Sequence, residues 1–499
     1  MIADNDLVSM QQARILAENA REAQKKLAGF SQEKLDGIVT AMAEAVSLHN
    51  AALARLSHEE TGFGKWQDKI LKNTFACAQV VKVMRHMRCV GILKQDRAAG
   101  LLQIGVPVGV IAALCPSTSP VSTTIYKALI AVKSGNAIIF SPHPRAEKSI
   151  SKTLDIMISA AHAAGLPEGC ISYMRTVTSR GTFELMKHAA VSLVLISSVQ
   201  GMYEAARLSG KPVIYGGRGN GPAFIERTAD IGRAVTDIIA SKTFDNGIAP
   251  SAEQSLVVDA PVSEEVKREM QRQGAYFMTE PESHRLAELF FNSDGYCKNR
   301  LVGRPVDELI QAADLAAPDG TRVLVAERKY VSDTDPYSKG FLSPILAYYK
   351  EDNWEYACEK CIELLLHEKR AHTLAIHSNN EEVILQFALK KPVGRLLVNT
   401  PATFGGTGAT TNLFPALTLG SGSVGRGITS DNVSPMNLIY IRQVGFGVRQ
   451  AGVCKNFSAA EASGPAGIPA PLNEDDAAKV LYHILTEAIK AMDGPSGKY

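Results

Sequence analysis

The 499-residue sequence predicts an α/β protein with two doubly wound sheets and a helical N-terminal layer. Three observations carry this. Residues 7–90 place apolar side chains at spacings of three and four, with Gly and Pro nearly absent from the interior. Beyond residue 100, strand-like runs alternate with helix-compatible stretches of about a dozen residues, the pattern of parallel sheets. A composition of 45% hydrophobic and 21% charged residues suits a globular chain, and the length corresponds to about three domains' worth of core.

The elements follow in order. LLQIGVPVGVIAALCP (101–116) is rich in β-branched residues and punctuated by Gly and Pro, as strands are. A helix is expected over 121–132, then AIIFSP (137–142) as a short buried strand closed by proline. A helix over 146–164, the run VSLVLISS (191–198), a helix over 201–208 and PVIYGG (212–217) complete the first alternating set. The second starts with a helix near Ala234 and continues through QSLVVDA (254–260), a helix over 263–273, RVLVAER (322–328) and ILAYYK (345–350). A helix over 353–368, HTLAIHS (372–378), another helix and GRLLVNT (394–400) finish it. Residues 399–427 are rich in Gly, Thr and Ser, and LIYIRQV (438–444) reads as a returning strand.

The tail differs. ASGPAGIPAPLN (462–473) has the composition of a flexible or partly extended linker. The segment 474–492 then places Val480, Leu481, Ile484, Leu485, Ala488, Ile489 and Met492 on one helical face, with acidic residues at its start. Two readings stand: a helix docking on its own domain or a sister subunit, or a detached peptide that binds another protein.

Charge and cysteine usage exclude several classes. With 53 Lys+Arg against 51 Asp+Glu, the chain lacks the basic excess of a nucleic-acid binder. Its longest apolar stretches fall short of the ~20 residues that cross a bilayer, so no membrane partner is expected. The N-terminus has no basic patch followed by an apolar block, so no signal peptide is expected. Eight scattered cysteines are too sparse for a disulfide framework and fit a reducing compartment, with cytoplasm the default.

Short motifs carry less. GSGSVG (420–425) matches G-x-G-x-x-G as a string, but no strand-like run precedes it and no acidic residue follows about 20 positions on, so it reads as a Gly-rich turn. Cys358 and Cys361 form a CxxC on one expected helix without a second pair; reduced thiols are the bland reading and a redox or metal role the sharp one. The 11 histidines show no ligand spacing, no G-x-S-x-G elbow is present, and no metal is expected.

Longer strings are specific. GVPVGVIAALCPSTSP…YKALIAVKSGNAIIFSPHPRA (105–146), SGKPVIYGGRGNGPAFIERTADI (209–231), SKTFDNGIAPSAEQSLVV (241–258), LLVNTPATFGGTG (396–408) and LTLGSGSVGRGITSDNVSP (417–435) together resemble the aldehyde dehydrogenase superfamily, in order from about residue 10 to 445. They look most like its CoA-acylating branch. The resemblance implies a helical layer with a Rossmann-like NAD-binding domain over 1–232, including a strand element near 100–112. It further implies a catalytic-type α/β domain over 233–427 and a return strand for oligomerisation over 428–450, followed by the linker and the helix. It also implies NAD and CoA as cofactors: a thiolate attacks the aldehyde, hydride passes to NAD, and the acyl group moves from the thioester to CoA.

Several positions depart from the family. Aligned on FDNG and EQS, Pro250 stands where the resemblance implies the nucleophilic Cys, and proline offers neither thiol nor N–H. Ser119 occupies the place of the oxyanion Asn, and Gly340 that of the Glu that holds the nicotinamide ribose. Ser198 begins a loop, ending at Gly201, that is glycine-rich in acylating relatives. Ser141, His143, Gly217, Glu253 and Asn399 fall at retained cofactor-side or catalytic-side positions. Cys115, just before the PSTSP segment, is the possible substitute nucleophile. The expectation is therefore a non-catalytic homologue acting as a structural or partner-binding protein, with an active enzyme using a displaced nucleophile as the alternative. The resemblance implies a homo-oligomer. In related enzymes packaged in bacterial microcompartments, a linker and short amphipathic helix direct encapsulation, so 474–492 is expected to contact a shell or an active aldehyde dehydrogenase.

Overall fold

The computed structural model describes residues 4–217, 219–291, 300–367 and 371–448, so the linker and helix expected at 462–492 lie outside the described residues. The described residues divide into two compact units, one within 4–93 and 103–442 and one within 94–102 and 443–448. The strands are β1 (Gly91–Asp96), β2 (Leu101–Pro107), β3 (Val110–Leu114), β4 (Ala137–Ser141), β5 (Ile171–Tyr173), β6 (Val191–Ser197), β7 (Val213–Gly216) and β8 (Pro222–Ile225). They continue with β9 (Ser255–Asp259), β10 (Ala275–Phe277), β11 (Val323–Glu327), β12 (Ile345–Glu351), β13 (Thr373–His377), β14 (Arg395–Val398) and β15 (Ile439–Gly445). The fold is mixed α/β with parallel sheets, as the sequence predicts.

The helical layer opens with Asn5–Leu27, where the Asp4 carboxylate accepts from the N–H of Asp6 at 2.8 Å and so satisfies an orphan donor of the first turn. Its buried face is small, Ala13, Ala17, Ala20 and Ala23, which permits close packing. Gln32–Ser47, Asn50–Thr61 and Trp66–Phe75 follow, and the last helix lines the smaller of the two cavities described below.

In the first sheet the order is β5-β4-β3-β6-β7, and every pairing is parallel. The chain winds outward from β3 to β5 and then returns to the other side through β6. A crevice is thereby left outside the carboxyl ends of β3 and β6, where doubly wound folds bind ligands. Helix Pro120–Lys133 links β3 to β4 and is buried along its whole length.

The second sheet, ordered β10-β11-β12-β9-β8-β13-β14, is also parallel throughout. It corrects the boundary at 232, because β8 pairs with β9 and β13 and so belongs to the second lobe. Four residues between Gly221 and Glu226, opened by proline, gave no alternation to read. The three-residue strands β5 and β10 escaped notice for the same reason, as did helices Ser179–Lys187, Glu280–Phe290 and Val306–Ala313. Glu280–Phe290 did carry a signal, a capping box in which Thr279 and Glu282 satisfy each other's backbone donors.

β1, β2 and β15 form a three-stranded sheet in the order β1-β2-β15. No helix among the described residues is long and apolar enough to cross a membrane.

Candidate functional site

Two cavities meet at Pro250, which lines both. The larger, about 650 Å³, opens at the carboxyl ends of β3, β4 and β6. It gathers Cys115, Ser141, His143, Ser198, Gly201 and Pro250, and no Asp or Glu lines it among the described residues. The Ser141 and Thr182 hydroxyls share a hydrogen bond at 2.8 Å. His143 accepts from the Arg145 N–H through Nδ1 at 3.1 Å, opening the short 3-10 turn Pro144–Ala146; burial, then the nearby Arg145 charge, hold its pKa below the usual value. Ser198 adopts a left-handed backbone with φ 54°, a conformation glycine takes without strain, and its N–H donates to Gly216 O at 2.7 Å. Gly201 has open space where a Cβ would stand, so packing does not require glycine there.

Cys115 is buried, with the Thr124 hydroxyl 3.5 Å from its sulfur. Burial raises its thiol pKa, while the Lys127 ammonium pulls the other way. Lys127 is itself lowered to about 8 by burial and donates to Leu114 O and Leu195 O at 2.6 and 3.0 Å. The balance leaves Cys115 a protonated thiol at neutral pH.

The smaller cavity, about 280 Å³, has apolar walls from Leu71, Phe75, Phe244, Phe404, Leu417 and Leu419. Lys72, Ser119, Pro250 and Ser251 also line it. Lys72 Nζ donates to Ser119 Oγ at 2.9 Å and to the Asp245 carboxylate. Asp245 is buried and held on every side. It accepts from the Lys65 N–H at 2.7 Å and from Lys69 Nζ at 3.2 Å, while its own N–H donates to Asp68 at 2.7 Å. Its φ of 49° is left-handed, and a Cβ on Gly64 would come within 1.8 Å of its Oδ1, so position 64 must be glycine. Burial pushes the Asp245 carboxyl up, but Lys69 and Lys72 together bring it below the ordinary value; Lys69 is lowered to about 8 by burial. The Ser251 hydroxyl is buried and has no hydrogen-bond partner among the described residues.

Of the other expected site residues, Glu253, Gly340 and Asn399 line neither space. Glu253 is buried, its Oε1 accepting from the Ala402 N–H at 2.8 Å and its Oε2 unpartnered among the described residues. Burial raises its carboxyl to about 7 and lowers the neighbouring Lys242 to about 7, and Lys242 donates to Gln254 at 3.0 Å. Gly340 lies against the Gln254 side chain and Asn399 pins Ser378 by two bonds of 2.9 and 3.0 Å; neither lines a cavity. Gly217 lines the smaller cavity and not the larger. GSGSVG is a turn, with the Gly420 and Gly422 N–H groups bonded across to Asp431 O and Thr429 O at 2.8 and 2.9 Å. Cys358 and Cys361 are buried free thiols, Cys361 raised to about 12 by burial.

Sequence reasoning missed Lys69, Lys72 and Asp245. Two lysines three apart in a short amphipathic helix, and the aspartate of FDNG, were the available signals.

The aldehyde dehydrogenase family pattern matches residues 1–282. An aldehyde-alcohol dehydrogenase of Streptococcus pneumoniae is 38% identical over 402 residues, covering 79% of this chain and 46% of that protein. The chain thus spans about half the length of such curated relatives. Among solved structures, a probable aldehyde dehydrogenase of Listeria monocytogenes matches with TM-score 0.89 and 48% identity, over 91% of this chain and 100% of that one. An acetylating aldehyde dehydrogenase of Geobacillus thermoglucosidasius gives 0.86 and 42%, over 90% and 99%. A propionaldehyde dehydrogenase from a Clostridium phytofermentans fucose-utilisation microcompartment gives 0.78 and 27%, over 86% and 96%.

Proposed function

The chain belongs to the aldehyde dehydrogenase family, and from that membership we propose that it is a homologue of the CoA-acylating enzymes that has lost the redox step. It acts instead as a structural or partner-binding member of an aldehyde-metabolising assembly. The supporting observation is Pro250 at the junction of the two cavities, where an attacking thiolate would have to stand. Proline supplies no nucleophile and no N–H for an oxyanion. NAD and CoA, the cofactors expected from the family, would meet Ser141, His143 and Thr182 in the larger cleft, and neither Gly340 nor Asn399 would reach them there.

The alternative is an active acylating dehydrogenase with Cys115 as displaced nucleophile. Its support is that Cys115 and Pro250 line the same cleft; the raised thiol counts against it. The deciding assay is NADH production from short aldehydes with NAD and CoA, beside a Pro250→Cys, Ser119→Asn, Gly340→Glu variant. Wild-type turnover should stay at background and the variant should exceed it. Robust wild-type turnover overturns the proposal.

The same proposal places the protein in the cytoplasm or inside a bacterial microcompartment, as a homo-oligomer. Residues 474–492 would contact a shell protein or an active aldehyde dehydrogenase, a reading supported by the amphipathic pattern behind the 462–473 linker. Unchanged localisation and interactions after deletion of 462–499 would sink this part.

A further inference from the structure

We propose that Cys358 and Lys391 form a peroxide-driven modification site, in which the oxidised sulfur is captured by the lysine nitrogen as a covalent S–N bond. Neither residue lines either cavity, so the inference stands apart from the reading of Pro250.

Lys391 is buried just past the end of helix Glu381–Lys390. A buried lysine ordinarily meets a carboxylate. This one, among the described residues, donates instead to Cys358 O at 2.8 Å and to Cys358 Sγ, in direct contact. The Phe387 ring lies on its other side, 4.1 Å from Nζ to the centroid. The nitrogen is thus held against one sulfur by a carbonyl and an aromatic face. An N–H donor at sulfur stabilises the thiolate, the form that a peroxide oxidises.

Cys358 lies on helix Trp354–His367, three positions before Cys361, and both thiols are free. Two groups therefore compete for an oxidised Cys358. Cys361 is fully enclosed, and burial pushes its thiol up to about 12, so it offers almost no thiolate at neutral pH. The Lys391 nitrogen already touches the sulfur. Capture by nitrogen is favoured over a disulfide on that ground.

The chemistry needs one hydrogen peroxide. In the first step its O–O bond breaks, an S–O bond forms at Cys358, sulfur gives up two electrons, and water leaves behind a sulfenic acid. Sulfenic acids condense with nitrogen. In the second step Lys391 Nζ attacks sulfur, the S–N bond forms and the S–O bond breaks. The hydroxyl leaves as water with one proton from nitrogen, and the remaining ammonium proton passes to solvent. The bond closes a loop between positions 33 apart that contains β13 and helix Glu381–Lys390.

The test treats the folded full chain, fully reduced and then freed of reductant, with hydrogen peroxide. Remaining thiols are blocked with iodoacetamide under denaturing conditions, and peptides are mapped by mass spectrometry. The Cys358 and Lys391 peptides should appear joined, two hydrogens lighter than their sum, and dithiothreitol should deplete the joined species at least about tenfold. With dimedone present during oxidation, Lys391→Arg should accumulate the Cys358 sulfenic adduct about tenfold over wild type, because a guanidinium keeps its charge and does not attack sulfur. A Cys358–Cys361 disulfide, a sulfinic acid at Cys358 in place of the joined peptides, or an unmodified Cys358 overturns the proposal. So does equal dimedone labelling of the two proteins. If Lys391→Arg does not fold, the wild-type peptide map alone decides.

Discussion

The smaller cavity draws its polar end from side chains that hold one another. Asp245, Ser119 and the helix that carries Lys69 and Lys72 are three separate segments, linked by hydrogen bonds into a buried cluster. The larger cleft instead presents Ser141 at the end of β4 and His143 and Ser198 on the turns just after β4 and β6, each with one or two partners. Removing a group from the cluster strands a buried charge, so fold and site are there maintained by the same free energy. Removing one from the cleft leaves the sheet intact. A site built in the second way can change its chemistry without unfolding the chain, as the proline at 250, which both cavities share, requires of the proposed history.

The largest effect should come from Asp245→Ala. Two buried ammonium groups would lose their common carboxylate, a change that costs ~3–5 kcal/mol when a buried pair is broken. Urea unfolding at pH 7 measures it, and a loss under about 1 kcal/mol would break the contrast between cluster and cleft.

Glu253→Gln sharpens the contrast through pH. Burial raises the native carboxyl to about 7 from an ordinary 4.5, so between these values the native state keeps a proton that the unfolded state releases. The stability this group contributes is complete below pH 4.5 and lost as pH rises through 7, with a fall on the order of 2–3 kcal/mol. Lys242, lowered to about 7, contributes the opposite slope only above that pH. The glutamine variant should lack the falling limb between pH 4.5 and 7, read by unfolding at several pH values. Parallel curves for the two proteins would place Glu253 in a wetter setting than its burial implies.

These residues also mark where the sequence stops being informative. The helical layer and the long strands were legible because their apolar patterns repeat within ten residues, as in VSLVLISS. β8 was not, being four residues opened by proline, and its membership of the second sheet depends on partners 30 or more positions away: Ser255 pairs with Pro222 and Ala375 with Ala223. The site divides likewise. Pro250, Ser119, Ser141 and His143, which the resemblance named from linear motifs, line the cavities. Gly340 and Asn399, which it also named, line neither cavity, and their surroundings are set by packing. The Lys72–Asp245 bond spans 173 positions, a distance over which no local pattern reports.

The smallest stability effect should come from Ser198→Gly, and it bears on the cleft alone. Ser198 pays for its left-handed φ of 54° with strain of ~1 kcal/mol or somewhat more, which glycine would relieve. Glycine also frees the unfolded chain, at a cost of ~0.4–1 kcal/mol, and the hydroxyl it removes makes only a 3.5 Å contact to Gly217 O. The terms nearly cancel, so urea unfolding should show a change within about 0.5 kcal/mol. If the Ser198 side chain obstructs a nucleotide in the cleft it lines, NAD titration by thermal shift should respond to the variant more than to the wild type. A stability change above 1.5 kcal/mol would mean that this turn is tied to the core as tightly as Asp245. The distinction between a cavity held by its own charges and a cleft carried on turns would then fail at the position best suited to show it.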